Sequence, residues 1–269
     1  MNSITYDKFR ETLGSQGAGN EVGECQGYYF LKKRGSSIVG ERFEKQRNAQ
    51  ALWKMARLSM HIIKRFPFVR GVFVSGDLSK NAAGPASDVD FFIITAAGRL
   101  WITRALLTLF KKTFLLNSKK YFCLNYFATE DHLSLDQQNI FLATEIAHLK
   151  PLFNSLLFDQ YLSHNRWIQG FFPNFDITRL SMPTTNNRRS WVQQLLELPF
   201  RILPCDRLDE YILQKMTLLW KKRYPDFDDE TREKIFRSTR HESRAYVGNY
   251  QQKILYLYHQ KLREYCIVE

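Results

Sequence analysis

The chain has no long apolar run, no apolar core in its first residues and no extended stretch of disordered composition. No apolar run reaches the roughly 18 residues that a membrane-spanning helix needs. The best candidate, residues 100–116, is interrupted by Arg104, Lys111 and Lys112. The first eight residues, Met-Asn-Ser-Ile-Thr-Tyr-Asp-Lys, contain no apolar signal core. We therefore predict a cytoplasmic protein without a membrane partner.

Cysteine and histidine are scarce, and neither is arranged as a metal site. The four cysteines are far apart and lack the paired spacing of zinc ligands, so they are expected to be reduced packing residues: Cys25, Cys123, Cys205 and Cys266. The six histidines show no His-x-x-x-His spacing. We expect no metal site built on either residue type.

Acidic residues are the scarcer charge, with 27 Asp and Glu against 39 Lys and Arg. The resulting net charge of +12 favours anionic partners such as nucleotides, nucleic acid or acidic proteins. The basic clusters are short, which is also typical of ordinary solvated faces. Because 44% of the residues are hydrophobic, the chain can form a sizeable core.

The most informative segment is residues 72–94. An apolar run ends in Ser75-Gly76, a polar loop follows, and a second apolar run begins with Asp88-Val89-Asp90. Residues i and i+2 of a strand point to the same face, so Asp88 and Asp90 would project together, about 7 Å apart. Two such carboxylates repel each other unless a cation lies between them. Hard oxygen ligands of this kind suit Mg²⁺ shared with substrate phosphates.

This order of strand, Ser-Gly turn, loop and Asp-x-Asp strand resembles the signature of the DNA polymerase β-like nucleotidyltransferase superfamily, in particular its stand-alone bacterial and archaeal members. The resemblance covers about residues 70–127. It implies an α/β (α+β) fold, with a mixed sheet, helices on one face and a helical C-terminal region. It also implies that Asp88 and Asp90 are catalytic Mg²⁺ ligands. The nucleotide-binding residues implied are Ser75, Gly76, Asp77, Ser79, Lys80 and Asn125.

Two positions depart from that family pattern. A third carboxylate usually comes from the next strand, here residues 122–127, whose polar residue is Asn125. An amide cannot act as a base and binds Mg²⁺ more weakly than a carboxylate. Asp77 also stands where the family has Ser or Gly, and its charge would repel phosphates unless a metal ion or Lys80 compensates. Other acids that could supply the missing ligand are Glu130, Asp131 and Glu145.

The chain divides by pattern into three regions. Residues 1–40 form a short helix and hairpin unit that resembles the end of a winged-helix module, residues 41–175 the nucleotidyltransferase-like domain, and residues 190–269 a helical C-terminal region. Residues 176–189 are polar and contain proline, as is typical of a linker.

Within those regions the periodicity predicts individual elements. Strands are expected at 68–75, 88–95 and 121–127. Helices are expected at 4–13, 41–66, 99–116, 137–148, 149–167, 191–224 (apart from Pro199 and Pro204) and about 244–264.

Three functions remain open from the sequence. The first is a Mg²⁺-dependent enzyme that transfers a nucleoside monophosphate from a nucleoside triphosphate to a hydroxyl on a small molecule, a protein or RNA. The second is a catalytically degenerate module of the same fold that binds nucleotide or nucleic acid. The third is a nucleic-acid-binding protein that uses the N-terminal hairpin, with Lys32, Lys33 and Arg34, and the positive net charge.

Overall fold

The computed structural model describes residues 3–14, 21–118, 120–176, 189–244 and 250–265. The strands are β1 (Val22–Cys25), β2 (Tyr28–Leu31), β3 (Val69–Ser75), β4 (Asp90–Thr95), β5 (Cys123–Thr129), β6 (Lys150–Phe153) and β7 (Glu242–Arg244). The first six helices are α1 (Tyr6–Gly14), α2 (Ser37–Ile63), α3 (Gly76–Ser79), α4 (Leu100–Phe114), α5 (Ile140–His148) and α6 (Ser155–His164). The others are α7 (Ile168–Phe171), α8 (Trp191–Glu197), α9 (Cys205–Arg223), α10 (Asp229–Ile235) and α11 (Tyr250–Glu264).

Five strands form one mixed sheet in the order β6-β3-β4-β5-β7. β3 pairs antiparallel with both β4 and β6, and β7 pairs antiparallel with β5. β4 and β5 are parallel, because α4 returns the chain between them. The expected mixed α/β class, with helices after the sheet, is therefore confirmed.

Helices cover both faces of the sheet, and the expectation of one covered face was wrong. Alternate residues of β4 enter two separate cores, as the period of a strand requires. Phe91 and Ile93 pack in a core that includes residues of α2 and α4, and partly buried residues of α9 pack against it. Phe92 and Ile94 pack in a second core with α5, α6 and α7. The four consecutive apolar residues of β4, 91–94, are the pattern of a strand buried on both sides.

The N-terminal region is a helix followed by a β-hairpin. Gln26 and Gly27 connect β1 to β2 with φ of 52° and 77°, the left-handed pair of a tight two-residue hairpin turn. α1 lies against this hairpin, where the rings of Phe9 and Tyr29 meet edge to face at 5.8 Å. Tyr28 joins the hairpin to α2 by accepting a hydrogen bond from Gln46 Nε2 at 2.9 Å.

Two expected elements differ from the structure. The stretch 149–167 is not one helix, since β6 lies at the sheet edge before α6 begins at Ser155. Arg244 belongs to β7 and not to the last helix, which is described from Tyr250. Most of the expected linker, residues 177–188, lies outside the described residues, and so does Cys266. In the part of the chain that the structure describes, no helix has both the length and the apolar character for a membrane crossing.

Candidate active site

The two aspartates of the Asp-x-Asp motif lie together at the start of β4, beside a cysteine of β5. One ligand atom from each of Asp88, Asp90 and Cys123 lies within 4.8 Å of the other two. In the sheet, Asp90 is paired with Ser75 of β3 on one side and with Cys123 of β5 on the other. The predicted pair of adjacent carboxylates is therefore present at the start of the central one of three neighbouring strands, β3, β4 and β5.

Gly76 brings the backbone close to this pair. It follows β3 directly and has φ of 68°, in the left-handed region that favours glycine. A Cβ added to Gly76 would lie 2.4 Å from Asp90 Oδ2, which no side chain could tolerate without a shift of the backbone or of Asp90. The glycine of the predicted turn thus has a physical reason to be there: the chain must pass next to a carboxylate.

Asp90 has an environment that disfavours its negative charge. Burial is the largest cause, followed by the charge of Asp88, and Glu145 and Asp77 add to them, so that the pKa of Asp90 is raised to about 7. A hydrogen bond with Cys123 opposes this shift. Because like charges surround it, Asp90 would ionise more readily if a cation bound between the carboxylates.

Cys123 acts on Asp90 as a neutral donor. Burial, then the charges of Asp90 and Asp88, raise the pKa of the Cys123 thiol far above its usual range. The thiol therefore stays protonated at neutral pH, and its S–H donates to the Asp90 carboxylate. This cysteine was expected to be a packing residue without a role at any metal site, and the structure instead places it beside both aspartates.

The two carboxylates suit a hard divalent cation, whereas the thiol of Cys123 does not. Asp88 and Asp90 offer oxygen ligands of the kind that Mg²⁺ and Mn²⁺ prefer, while thiolate sulfur suits softer metals. A protonated thiol is a poor ligand for either class. The donor set thus fits Mg²⁺ held by two carboxylates and completed by ligands from outside the chain.

The turn after β3 is closed by its own side chains. Ser79 Oγ donates to the carbonyl of Gly76 at 2.8 Å. Asp77 Oδ2 accepts a hydrogen bond from Ser87 Oγ at 2.7 Å, and the same oxygen of Ser87 accepts from Gly84 N at 2.9 Å. Ser87 was missed from sequence, although it directly precedes the Asp-x-Asp motif. Asp77 is thus held by the loop that leads into β4.

Lys80 pairs with Glu145, a different acid from the one that it was expected to compensate. Its Nζ lies 2.7 Å from Glu145 Oε1, and its carbonyl accepts from Arg42 at 3.1 Å. Glu145 is close enough to raise the pKa of Asp90. Of the three acids suggested as substitutes for the third carboxylate, Glu145 is the one that reaches this end of the sheet.

The other two acids are at the far end. Glu130 follows β5, where its amide donates to the carbonyl of Thr95, at the opposite end of β4 from Asp90. At about 3.3 Å per residue, that end is roughly 20 Å from the aspartate pair. Asp131 lies next to Glu130, with His241 Nδ1 3.8 Å from its Oδ1. Neither residue can complete the cluster.

Asn125 does not occupy the position opposite Asp90. β5 pairs Phe91 with Leu124 and Phe92 with Tyr126, so Asn125 is an extra residue at a bulge. Its side chain contributes to the wall of a neighbouring cavity, together with Cys123. Cys123 lies two residues before Asn125, so a regular strand would place both side chains on the same face. This alternation was the one signal in the sequence that could have identified Cys123.

Comparison with known proteins adds no family to this geometry: no family model, curated protein or solved structure matches the chain.

Proposed function

We propose that this chain is a Mg²⁺-dependent nucleotidyltransferase, which transfers a nucleoside monophosphate from a nucleoside triphosphate to a hydroxyl acceptor. The observation that carries the proposal is the contact between Gly76 and Asp90, where a Cβ would meet the carboxylate at 2.4 Å. Close approach of bare backbone to a paired carboxylate is what a metal-bound phosphate chain requires. A strand pair needs no such approach for stability, and the raised pKa of Asp90 shows that its charge is unfavourable there.

Asp88 and Asp90 would hold the Mg²⁺ ion, which neutralises phosphate charge and polarises the reacting phosphoryl group when bound. The turn at Gly76 would admit the phosphates. Ser79 and Asp77 fix the shape of that turn through their hydrogen bonds to Gly76 and Ser87. Lys80 follows the same turn and is the basic residue nearest to Gly76 in the sequence. It also forms an ion pair with Glu145.

A second candidate function is a nucleotide-binding module that has lost catalysis. It is favoured by Cys123, because the residue of β5 that pairs with Asp90 is a thiol and not the third carboxylate that the resembled family carries on this strand. A protonated thiol neither binds a second Mg²⁺ well nor takes a proton from an incoming hydroxyl. Glu145 is the suggested substitute that reaches this end of the sheet, and its carboxylate is engaged in an ion pair with Lys80.

Isothermal titration with ATP, GTP, CTP and UTP, with and without Mg²⁺, tests the nucleotide site. At least one nucleotide should bind with Mg²⁺, and Asp88→Asn should weaken that binding by about 100-fold or more, because loss of a direct ligand costs at least as much as loss of an outer-shell partner. The matched control is Asp131→Asn, which removes a carboxylate from the far end of β5. Mg²⁺-dependent binding that survives in Asp88→Asn would contradict the proposal.

A transfer assay separates the enzyme from the binding module. Nucleotide labelled at the α-phosphate is incubated with the wild type and Asp88→Asn in the presence of sugar phosphates, bulk RNA or the chain alone. Labelled product that requires Asp88 supports the enzyme. Mg²⁺-dependent binding without label transfer to any of these acceptors favours the degenerate module.

A further inference from the structure

A basic cavity of about 660 Å³ opens on the β5 side of the aspartate pair. It lies between α4, α9 and the part of β5 that β7 leaves uncovered, since β7 pairs only with residues 126–128. Five basic side chains contribute to its wall: Arg104, Lys111, Lys112, Lys222 and Arg223. No Asp or Glu is among the described residues that line it. The wall of the cavity is therefore positively charged, opposite in sign to the aspartate pair next to it.

Arg104 is a buried charge of the cavity wall, and one of its nitrogens has no partner among the described residues. The residue is 7% exposed, its guanidinium lies 4.9 Å from the centre of the Phe127 ring, and its Nη1 has no hydrogen-bond partner among the described residues. A buried guanidinium nitrogen without an acceptor is unfavourable in a protein interior. Because that nitrogen is buried in this structure, a bound anion would supply the acceptor once the guanidinium turns toward the cavity.

The rest of the wall suits a small molecule with a ring. Trp220 and Tyr224 line the cavity beside Leu124 and Met216, so apolar surface adjoins the basic groups. The volume falls in the range of pockets that enclose drug-sized ligands. A polymer would need an open groove, whereas this cavity is bounded by two helices and a strand.

The order of the strands separates this cavity from the turn that would admit the nucleotide phosphates. Gly76 follows β3, Asp90 begins β4, and Cys123 begins β5, in that order across the sheet. The phosphate turn is therefore on one side of the aspartate pair and the basic cavity is on the other. Cys123 belongs both to the aspartate cluster and to the cavity wall, so the two sites adjoin.

We propose that this cavity binds the acceptor of the transfer reaction, and that the acceptor is a small phosphate monoester with a hydroxyl group and a ring. Its phosphate pairs with Arg104, its ring packs against Trp220 or Tyr224, and its hydroxyl faces the aspartates. This assignment rests on the proposed nucleotidyltransferase function. In the reaction the hydroxyl oxygen forms a bond to the α-phosphorus. The bond between that phosphorus and the oxygen that bridges the α- and β-phosphorus atoms breaks. Pyrophosphate leaves with the electron pair, the hydroxyl proton passes to solvent, and a phosphodiester remains.

Titration with phenyl phosphate tests the cavity independently of nucleotide chemistry. The probe carries a ring and a phosphate monoester, and EDTA removes metal ions from the buffer. Wild type should bind it, and Arg104→Met should weaken binding at least about tenfold, the loss expected for one charge-assisted contact. Arg57→Met, at an exposed position of α2, is the matched control and should bind as the wild type does. A folded Arg104→Met that binds phenyl phosphate normally would overturn the proposal.

A second variant protects this test against loss of folding at the buried arginine. The double substitution Lys112→Met and Lys222→Met changes two exposed residues of the wall and should weaken binding several-fold while Tm stays near that of the wild type. Unchanged affinity in this variant would likewise contradict an anion site in the cavity.

Competition distinguishes an acceptor site from an extension of the nucleotide site. Phenyl phosphate and Mg²⁺-nucleotide should bind the wild type together, and Asp88→Asn should lose the nucleotide but keep phenyl phosphate. That pattern supports two adjoining subsites. Mutual exclusion of the two ligands would overturn the acceptor assignment and leave the nucleotide proposal standing. Failure of the nucleotide titration alone would remove the reaction but not the anion cavity.

Discussion

Two largely buried aspartates, at the start of β4 and in α9, show how differently a fold can treat a carboxylate. Asp209 of α9 accepts a hydrogen bond from the backbone amide of Ile102 at 2.8 Å, and the amide of Trp101 also stabilises its charge. Asp90 has the thiol of Cys123 as a donor, whereas its carboxyl neighbours Asp88, Asp77 and Glu145 all oppose its charge. Burial raises the pKa of both, to about 6 for Asp209 and about 7 for Asp90.

The difference separates a structural carboxylate from a candidate functional one. Asp209 satisfies amides in the first turn of α4, where the residue at the N-cap, Arg99, makes no capping hydrogen bond with its side chain. It therefore stabilises the helix that connects β4 to β5. Asp90 caps nothing and adds unfavourable charge to the end of a strand. An unfavourable charge that contributes no stability is typical of a site kept for a ligand, here a cation.

Of the substitutions that test this comparison, Asp90→Asn in metal-free protein should change the free energy of unfolding most. The pKa of Asp90 is about 7 in the folded chain and about 3.9 when exposed, so between these values the folded state binds more protons than the unfolded state. Stability therefore falls as pH rises from about 4 to about 7. Above that window the cost reaches its full value, up to about 4 kcal/mol, and the neutral amide of the variant avoids it.

Urea unfolding of wild type and Asp90→Asn at about pH 5 and about pH 8 measures this effect. The stability gained by the variant should be larger at the higher pH. Addition of Mg²⁺ should stabilise the wild type and leave the variant unchanged, because the ion binds the folded carboxylates. A gain that does not vary with pH would show that Asp90 carries no unfavourable charge.

The contrast between the two aspartates also shows what the sequence could predict. The strands β3 and β4, the helices α2 and α4 and the position of the Asp-x-Asp motif follow from long apolar runs with clear ends. β6 was missed because Lys150-Pro-Leu-Phe153 is only four residues long and contains proline, which is tolerated there because β6 lies at the sheet edge. β7 was missed because Glu242-Ser-Arg244 has no apolar residue, although all three residues are buried.

The partners of the aspartate pair were harder to predict than the pair itself. The bulge at Asn125 shifts the register of β5 against β4, and a period of two cannot reveal such a shift. The sequence therefore directed attention to Asn125 instead of Cys123. The basic cavity depends on α4 and α9 lying side by side, although Arg104 and Lys222 are more than a hundred residues apart. Contacts of that sequence separation leave no local pattern.

Substitution of Asp209, the structural aspartate, should have a smaller effect on the free energy of unfolding. Asp209→Ala should lower the free energy of unfolding by about 1–3 kcal/mol, because it leaves the amides of Trp101 and Ile102 without their acceptor in a buried place. Asp209→Asn keeps an oxygen in the same position and should stay within about 1 kcal/mol of the wild type. Urea unfolding near neutral pH measures both. Equal losses in the two variants would show that packing, and not the capping of α4, explains the role of Asp209.

The smallest effect is expected from a substitution of Cys123, whose thiol donates a hydrogen bond to Asp90. Its hydrogen bond lowers the pKa of Asp90, so Cys123→Ala should raise that pKa and Cys123→Ser should restore it. The carboxyl carbon signal of Asp90, followed by NMR against pH, measures the change. Mn²⁺ affinity at neutral pH should fall by less than about tenfold in Cys123→Ala, since a hydrogen-bonding neighbour costs less than a ligand. A loss as large as that caused by Asp90→Asn would instead make the thiolate a metal ligand, and would turn the cluster from a hard two-carboxylate site into a mixed sulfur and oxygen site for a softer cation.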